Sequence, residues 1–443
     1  MMKINIYKII ILSLILSCFW DIFYYGVFGR LLDNISFLLL LTFSFYKRTF
    51  NFNKNLKDFS LLIGIPILIF LLIASRGIIF DFIDFQKAPI PFLNRIESNS
   101  NQSLLTFISL IMGSITFFLI RVQEIDLKKG VAEKLIKFLV YFQILQIIIY
   151  RLFNYYFDLS LFTGGVKSRV FNLSIQTFRP SSIFQEPNGY SVTIVSLICL
   201  LLFLSLKEVK GDFWKSIDLN KKLIIMSALS ISLTFSLWGL IMGVFFVLII
   251  IFQLILKFTK KLLFNKKINL NNFLTKKNLL FFLTFSLIII IQSKYFTNNL
   301  SIAIFRITSL GSDPSASARY RYGENIFEIL NNLDAVTFLF GNGATTARDT
   351  FQNFMGANGF SFLIFSIGFI GIFFLISVFI PYSSKIEPHS KMNYFISYRS
   401  LRHYFYFLFF MLIISTSYPL YTYQISWISS ALIINSISAL EKK

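Results

Sequence analysis

The stretch RPSSIFQEPNGYS, residues 179 to 191, places an arginine, a glutamate and an asparagine close together where a long apolar run begins. The guanidinium of Arg179 suits the oxygens of phosphate or carboxylate groups, and the carboxylate of Glu186 can accept a proton. Two plainer interpretations stay open. Glu186 can favour the positive end of a helix that begins at Pro187, and Arg179 can pair with Glu186 or reach lipid head groups. The residue types favour a site that contacts an anionic group.

A second group of arginines lies in residues 305 to 360, where Asp313 followed by Pro314 is a typical helix start. Helical spacing predicts an amphipathic helix over residues 314 to 333, with Arg319 at the head of its apolar face. Arg321 is turned about 200° away and shares the polar face with the acidic residues. A charge at the end of an apolar stripe needs an anionic partner, so Arg319 is the stronger candidate for binding one.

Several kinds of catalytic motif are absent from the sequence. It contains no HExxH, no Cys/His cluster, no Walker loop and no catalytic-looking Ser/His pair. We therefore predict that the protein uses no metal and no cofactor. The sequence GNG at 341 to 343 predicts a tight turn.

The composition predicts that these residues lie on a membrane protein. Hydrophobic residues make up 56% of the 443 residues and charged residues only 14%, and the mean hydropathy is +0.70. Apolar runs of about 20 residues cross a bilayer as helices, because a helix satisfies its own backbone polar groups. We predict an all-α fold: one integral membrane domain over residues 1 to 443 with about twelve transmembrane helices. The predicted spans are 7–26, 31–46, 59–75, 103–120, 138–157, 188–206, 223–237, 239–256, 279–296, 358–380, 404–418 and 423–440.

The net charge of +21 is distributed unevenly between the two predicted faces of the membrane. With the N-terminus in the cytoplasm, the cytoplasmic segments carry +20 of this charge, including the lysine-rich residues 257 to 277. This is the positive-inside pattern, and it predicts a cytoplasmic C-terminus as well. Topology and anionic membrane lipids explain the charge, so we predict no nucleic-acid partner. Residues 76 to 102, 158 to 187 and 297 to 357 then form the main outer loops.

The order of these motifs resembles the O-antigen polymerase and O-antigen ligase superfamily of bacterial inner membranes. In that family an outer-face R-x-x-x-x-F-x-E/D-P-N stretch opens a helix, which is RPSSIFQEPN here. A long outer loop then carries S-x-R and G-x-G, here SAR at 317 to 319 and GNG. The last motif of the family is a histidine followed by Asn, Ser or Gln, then nine residues and a glycine. The corresponding positions in this chain are Ala357, Asn358 and Gly368. The family also often has Ser-Arg where this chain has SLWG at 236 to 239.

The resemblance implies a glycosyltransferase of the bacterial inner membrane that acts on oligosaccharide carried by undecaprenyl pyrophosphate. Such polymerases join repeat units of O-antigen, capsule or exopolysaccharide at the outer face of the membrane. Arginines would neutralise the departing pyrophosphate, which implies catalytic roles for Arg179, Arg319 and Glu186. The residues expected to bind substrate are Arg151, Arg169, Asn188, Arg321 and Asn358.

Two alternatives stay open. A ligase would move the glycan to a core lipid or another acceptor, but the family's ligases carry a histidine where this chain has Ala357. A transporter of lipid-linked oligosaccharide would be expected to show internal repeats and charges in mid-membrane. Arg151 is the nearest case of such a charge, and it can equally extend to the membrane surface beside Tyr155 and Tyr156. A chain-length regulator protein is left open as a partner.

Overall fold

The computed structural model describes most of the predicted membrane-spanning runs and part of the connecting segments. The described residues are 6–18, 24–25, 29–30, 35, 37–42, 54–82, 100–153, 171–172, 177–178, 180–184, 187–234, 236–263, 335–341, 343, 359–386, 392–415 and 424–440.

Helices dominate the described part of the chain, which confirms the all-α prediction. Most of them coincide with apolar runs that were predicted as spans. The helices are α1 (Ile6–Cys18), α2 (Lys54–Phe82), α3 (Ser100–Val122), α4 (Lys129–Phe153), α5 (Pro187–Leu204), α6 (Phe213–Ser232), α7 (Leu237–Leu263), α8 (Ala335–Phe340), α9 (Gly359–Val378), α10 (Tyr398–Ser415) and α11 (Gln424–Ser438).

Three short antiparallel hairpins accompany the helices. Their strands are β1 (Tyr24–Tyr25) with β2 (Gly29–Arg30), β3 (Phe171–Asn172) with β4 (Thr177–Phe178), and β5 (Ser383–Ile386) with β6 (Met392–Phe395). The run at 279 to 296 and the amphipathic helix expected at 314 to 333 lie outside the described residues, as does most of the loop 297 to 357.

Helix α5 lies at the centre of the bundle. It packs against α4, α6, α7, α10 and α11. The span from Gly189 to Lys207, which adds a 3-10 turn to α5, is buried throughout its most apolar stretch. Its predominantly apolar sequence, without a polar face, therefore reflects burial on every side.

Two described helices, Gly189–Lys207 and Trp238–Lys257, are long and apolar enough to cross a membrane by length and composition alone. Helix α7 also carries a stripe of exposed apolar side chains at helical spacing. The stripe comprises Ile241, Val244, Leu248, Ile251, Phe252 and Ile255. Soluble proteins rarely expose so continuous an apolar surface. The twelve-span arrangement stays a prediction.

A group of ion pairs marks one end of the bundle, which we name the lysine end. Lys207 pairs with Asp126, and Lys129 lies 3.1 Å from Glu208. Asp218 lies 2.5 Å from Lys257. Burial raises the pKa of this carboxyl, but hydrogen bonds from the Lys257 and Gln253 side chains and nearby positive charge outweigh that effect, so the pKa lies below its ordinary value.

The lysine end also contains a buried arginine at the turn between α3 and α4. Arg121 is fully buried and donates from Nη1 to Oδ1 of Asn435 in α11 at 2.6 Å. Asn435 in turn donates to the carbonyls of Ile120 and Ile125. This arrangement fixes α11 against α3, where Gly113 leaves room for the ring of Trp427.

Candidate functional site

The residues predicted to form the site fall mostly outside the described part of the chain. This applies to Arg169, Arg179, Glu186, Arg319, Arg321 and Asn358. Arg151 lies in the last turn of α4 and Asn188 in the first turn of α5, where the backbone alone is described. Helix α5 begins at Pro187, as the sequence predicted.

The segment Pro180–Phe184, which lies in sequence between Arg179 and Glu186, is buried at the end of the bundle opposite the lysine end. A buried segment without regular structure must find partners for its carbonyl groups. The Pro180 carbonyl accepts from Nε2 of Gln143 at 3.0 Å, and the Ser182 carbonyl accepts from Nε2 of Gln146. Both glutamines lie on α4, which therefore holds this segment.

The segment closes on itself as a turn. The Phe184 amide donates to the Ser181 carbonyl at 3.1 Å, and the Ser181 hydroxyl donates to the Phe184 carbonyl at 2.6 Å. Ser182 has φ of 58°, a left-handed conformation that costs a non-glycine residue about 1 to 3 kcal/mol unless its surroundings enforce it. The surrounding hydrogen bonds enforce that backbone shape here.

Gln143 joins four elements at this point. Besides the bond to Pro180, its Nε2 donates to the Ser230 carbonyl of α6 at 3.0 Å. Its Oε1 accepts from the hydroxyl of Tyr190 at 3.3 Å and from the hydroxyl of Ser230. A single amide side chain thus links α4, α5, α6 and the segment Pro180–Phe184.

A second structure brings together two motifs that the sequence analysis singled out separately. Gly341 and Gly343 lie against a break in α9 at Gly368, and the Gly343 amide donates to the Ser366 carbonyl at 2.8 Å. Gly341 and Gly343 have φ of 67° and 96°, a backbone conformation that glycine adopts without strain. We name Gly341, Gly343, Ser366 and Gly368 the glycine junction.

The glycine junction requires close approach of two backbones. A Cβ atom at Gly368 would lie 2.4 Å from the Leu339 carbonyl oxygen, and one at Gly341 would lie 2.5 Å from the Ser366 carbonyl. Gly368 itself has φ of 62° and ψ of −176°, a region essentially restricted to glycine. Both glycines are therefore required by geometry.

Arg76 of α2 lies beside the glycine junction. Its guanidinium carbon is 5.9 Å from the ring centroid of Phe340, the residue before Gly341. This distance is within the range of a cation–π contact. Gly64 lies close to Phe118, which is near the end of α3 that reaches the lysine end. Arg76 comes later in α2 than Gly64, so it lies toward the opposite end of the bundle. The segment Pro180–Phe184 lies at that same end.

Sequence reasoning missed Gln143, Gln146 and Arg76. The two glutamines are three residues apart in the apolar run YFQILQIII, a spacing that places them on one helix face. Polar groups inside such a run are costly and call for partners, which was a usable signal. Arg76, at the outer end of a predicted span, had no such distinguishing pattern.

Comparison with protein-family models, with curated proteins and with solved structures gives no match to this chain. Within the described residues, no group of three or more His, Cys, Asp or Glu side chains could hold a metal ion.

Replacing Gln143 with leucine should lower stability far more than the same change at Gln146. Leucine removes four hydrogen bonds at Gln143, and each buried group left without a partner costs about 1 to 3 kcal/mol. Gln146→Leu removes the one described bond, to Ser182. The check is the thermal unfolding midpoint of each purified variant in detergent. Equal midpoints would contradict the linking role of Gln143.

Proposed function

We propose that this chain is a polytopic inner-membrane glycosyltransferase that polymerises oligosaccharide repeat units carried on undecaprenyl pyrophosphate. The observation that carries the proposal is the segment Pro180–Phe184. The bundle holds it through hydrogen bonds from Gln143 and Gln146. Arg179 directly precedes it in sequence, and Glu186 follows it after Gln185. A site that must orient a phosphate-binding group and a proton acceptor needs such a fixed support.

Membrane insertion is supported by the surface of the bundle. The exposed apolar stripe of α7 suits contact with lipid, and similar exposed apolar residues lie along α2, α4 and α10. The positive residues of the lysine end coincide with the segments predicted to be cytoplasmic. The segment Pro180–Phe184 and the glycine junction then belong to the outer face.

The proposed reaction is displacement at the anomeric carbon of the sugar that is bonded to pyrophosphate. A hydroxyl of the acceptor repeat unit forms the new glycosidic bond, and the bond between the anomeric carbon and the pyrophosphate oxygen breaks. Undecaprenyl pyrophosphate leaves with the bonding electron pair. In this proposal Arg179 and Arg319 stabilise the departing charge, and Glu186 takes the proton of the acceptor hydroxyl.

This chemistry needs no nucleotide, because the pyrophosphate leaving group supplies the driving force. The absence of a Walker loop from the sequence agrees with such a reaction. Asn188, in the first turn of α5, is placed by the same proposal near the acceptor sugar.

A ligase is the second candidate, since it would use the same donor and the same arginines. Ala357, at the position where ligases of the resembling family carry histidine, favours the polymerase.

Deletion of the encoding gene should leave single repeat units on the lipid carrier, because their joining is blocked. Extraction of lipid-linked glycans and measurement of their length by mass spectrometry checks this. Accumulation of long lipid-linked polymer would instead identify a ligase. Unchanged lipid-linked pools at the outer face would contradict both activities.

A further inference from the structure

An apolar groove runs between α2 and α3 toward the end of the bundle that holds the glycine junction. Its volume is about 430 Å³, within the range typical of ligand sites. The α2 wall rises from Gly64 through Leu68 and Leu72 to Ser75. These residues follow helical spacing, so they form one continuous strip of the helix.

The walls of the groove offer hydrocarbon contacts. Its α3 side is lined by residues such as Phe107, Ile111 and Phe118. The Ser75 hydroxyl donates to the Leu72 carbonyl of its own helix at 2.7 Å, so its hydrogen is already used. A flexible hydrocarbon chain fits such a surface better than a sugar would.

A positively charged side chain lies just beyond the last residue of α2 that lines the groove. Arg76 directly follows Ser75 in α2, and its guanidinium lies over the ring of Phe340. This contact places the guanidinium beside the glycine junction. An arginine there can bind phosphate oxygens through two parallel hydrogen bonds.

We infer that this groove holds the isoprenoid chain of the lipid-linked donor and that Arg76 binds the donor's pyrophosphate. An apolar groove with a cation one residue beyond its last α2 wall residue matches a molecule with a hydrocarbon tail and an anionic head. This inference rests on the proposed function, since it takes undecaprenyl pyrophosphate as the lipid. It adds Arg76 as a binding residue and α2 and α3 as the elements that bind the tail.

The length of the groove limits how much of the chain it holds. From Gly64 to Ser75 the α2 backbone rises about 16 Å, roughly half of a hydrocarbon core of about 30 Å. The groove therefore binds the part of the tail nearest the phosphates, and the remainder extends into the lipid. Affinity should depend on the first isoprene units and little on the last.

The test uses the purified full-length protein in nanodiscs, with undecaprenyl pyrophosphate as the probe and geranyl pyrophosphate as a short-chain comparison. Arg76→Ala should weaken binding of both probes about tenfold or more, because it removes charged hydrogen bonds to the shared head group. Arg76→Lys should recover part of the loss.

Leu68→Trp tests the groove separately, because it fills a wall position that is 61% exposed and so tolerates a larger side chain. It should weaken binding of undecaprenyl pyrophosphate several-fold and leave geranyl pyrophosphate less affected. Leu61→Trp is the matched control: it is 57% exposed, two turns below on α2, and not part of the groove. It should bind both probes as the wild type does.

Wild-type affinity in Arg76→Ala, or equal effects of Leu68→Trp and Leu61→Trp, would overturn the inference. Displacement of the probe by an equal concentration of phosphatidylglycerol would also overturn it, since the groove would then accept any anionic lipid. The proposed function fails on a different result. If the wild type binds undecaprenyl pyrophosphate but cells that carry it form no polymer, the lipid-binding site is supported and the proposed polymerase activity is contradicted.

Discussion

Gly368→Ala is expected to give little folded protein and no polymer. The backbone at Gly368, with φ of 62° and ψ of −176°, is a conformation that alanine adopts only at a cost of about 1 to 3 kcal/mol. The new methyl group would also lie 2.4 Å from the Leu339 carbonyl oxygen, and that backbone atom cannot move without breaking the glycine junction. The measurements are the yield of monodisperse protein and its thermal unfolding midpoint.

Two other glycine substitutions provide controls for this prediction. Gly64→Ala lies in α2, where the added Cβ would have an ordinary contact of 3.7 Å with Phe118, and it should be neutral or slightly stabilising. Gly341→Ala should resemble Gly368→Ala, because its Cβ would meet the Ser366 carbonyl at 2.5 Å. A midpoint for Gly368→Ala equal to that of Gly64→Ala would mean that α9 is unbroken.

Arg179→Ala is expected to abolish detectable polymer while the protein remains at its normal level in the membrane. Loss of one well-placed donor to a developing negative charge typically lowers the rate about 100-fold to 1,000-fold. Arg179→Lys should restore only part of the activity, because an ammonium group lacks the two-pronged geometry that matches phosphate oxygens. Polymer extracted from a complemented deletion strain and separated by gel electrophoresis gives the measurement.

Arg402→Ala is the matched control for Arg179. Arg402 is an exposed arginine of α10 in a segment predicted to be cytoplasmic, and exposed arginines contribute about 0 to 1 kcal/mol through ion pairs. Its replacement should leave polymer length and amount unchanged. Full polymer formation in Arg179→Ala would show that Arg179 is not part of the site. It would also contradict the proposal that Pro180–Phe184 positions Arg179 for catalysis.

The positions of most of the described helices could be predicted because each depends on residues adjacent in sequence. An apolar run long enough to cross a membrane favours a helix wherever it packs, and Pro187 suits the first position of α5. The positive φ values of Gly341 and Gly343 are also a local property, since glycine is the residue that adopts positive φ without strain.

The partners of these elements could not be predicted. Gly341 and Gly343 meet the break in α9, and neither hydropathy nor spacing indicates where a uniformly apolar helix such as α9 is interrupted. Gln143 and Gln146 were visible as polar residues in an apolar run, but their acceptors lie more than 30 residues further along the chain. Which carbonyl an amide meets depends on how α4 packs against its neighbours.

The sequence by itself determined the helical character of the described part of the chain, the positions of most of its helices and the candidate motifs, because these depend on local composition and periodicity. The tertiary structure alone decided that Pro180–Phe184 is fixed by α4, that the two glycine motifs form one junction, and that Arg76 lies beside it. The physical reason is that each of these contacts joins residues distant in sequence. Helix packing selects them through close backbone approach and through the need of buried polar groups for partners.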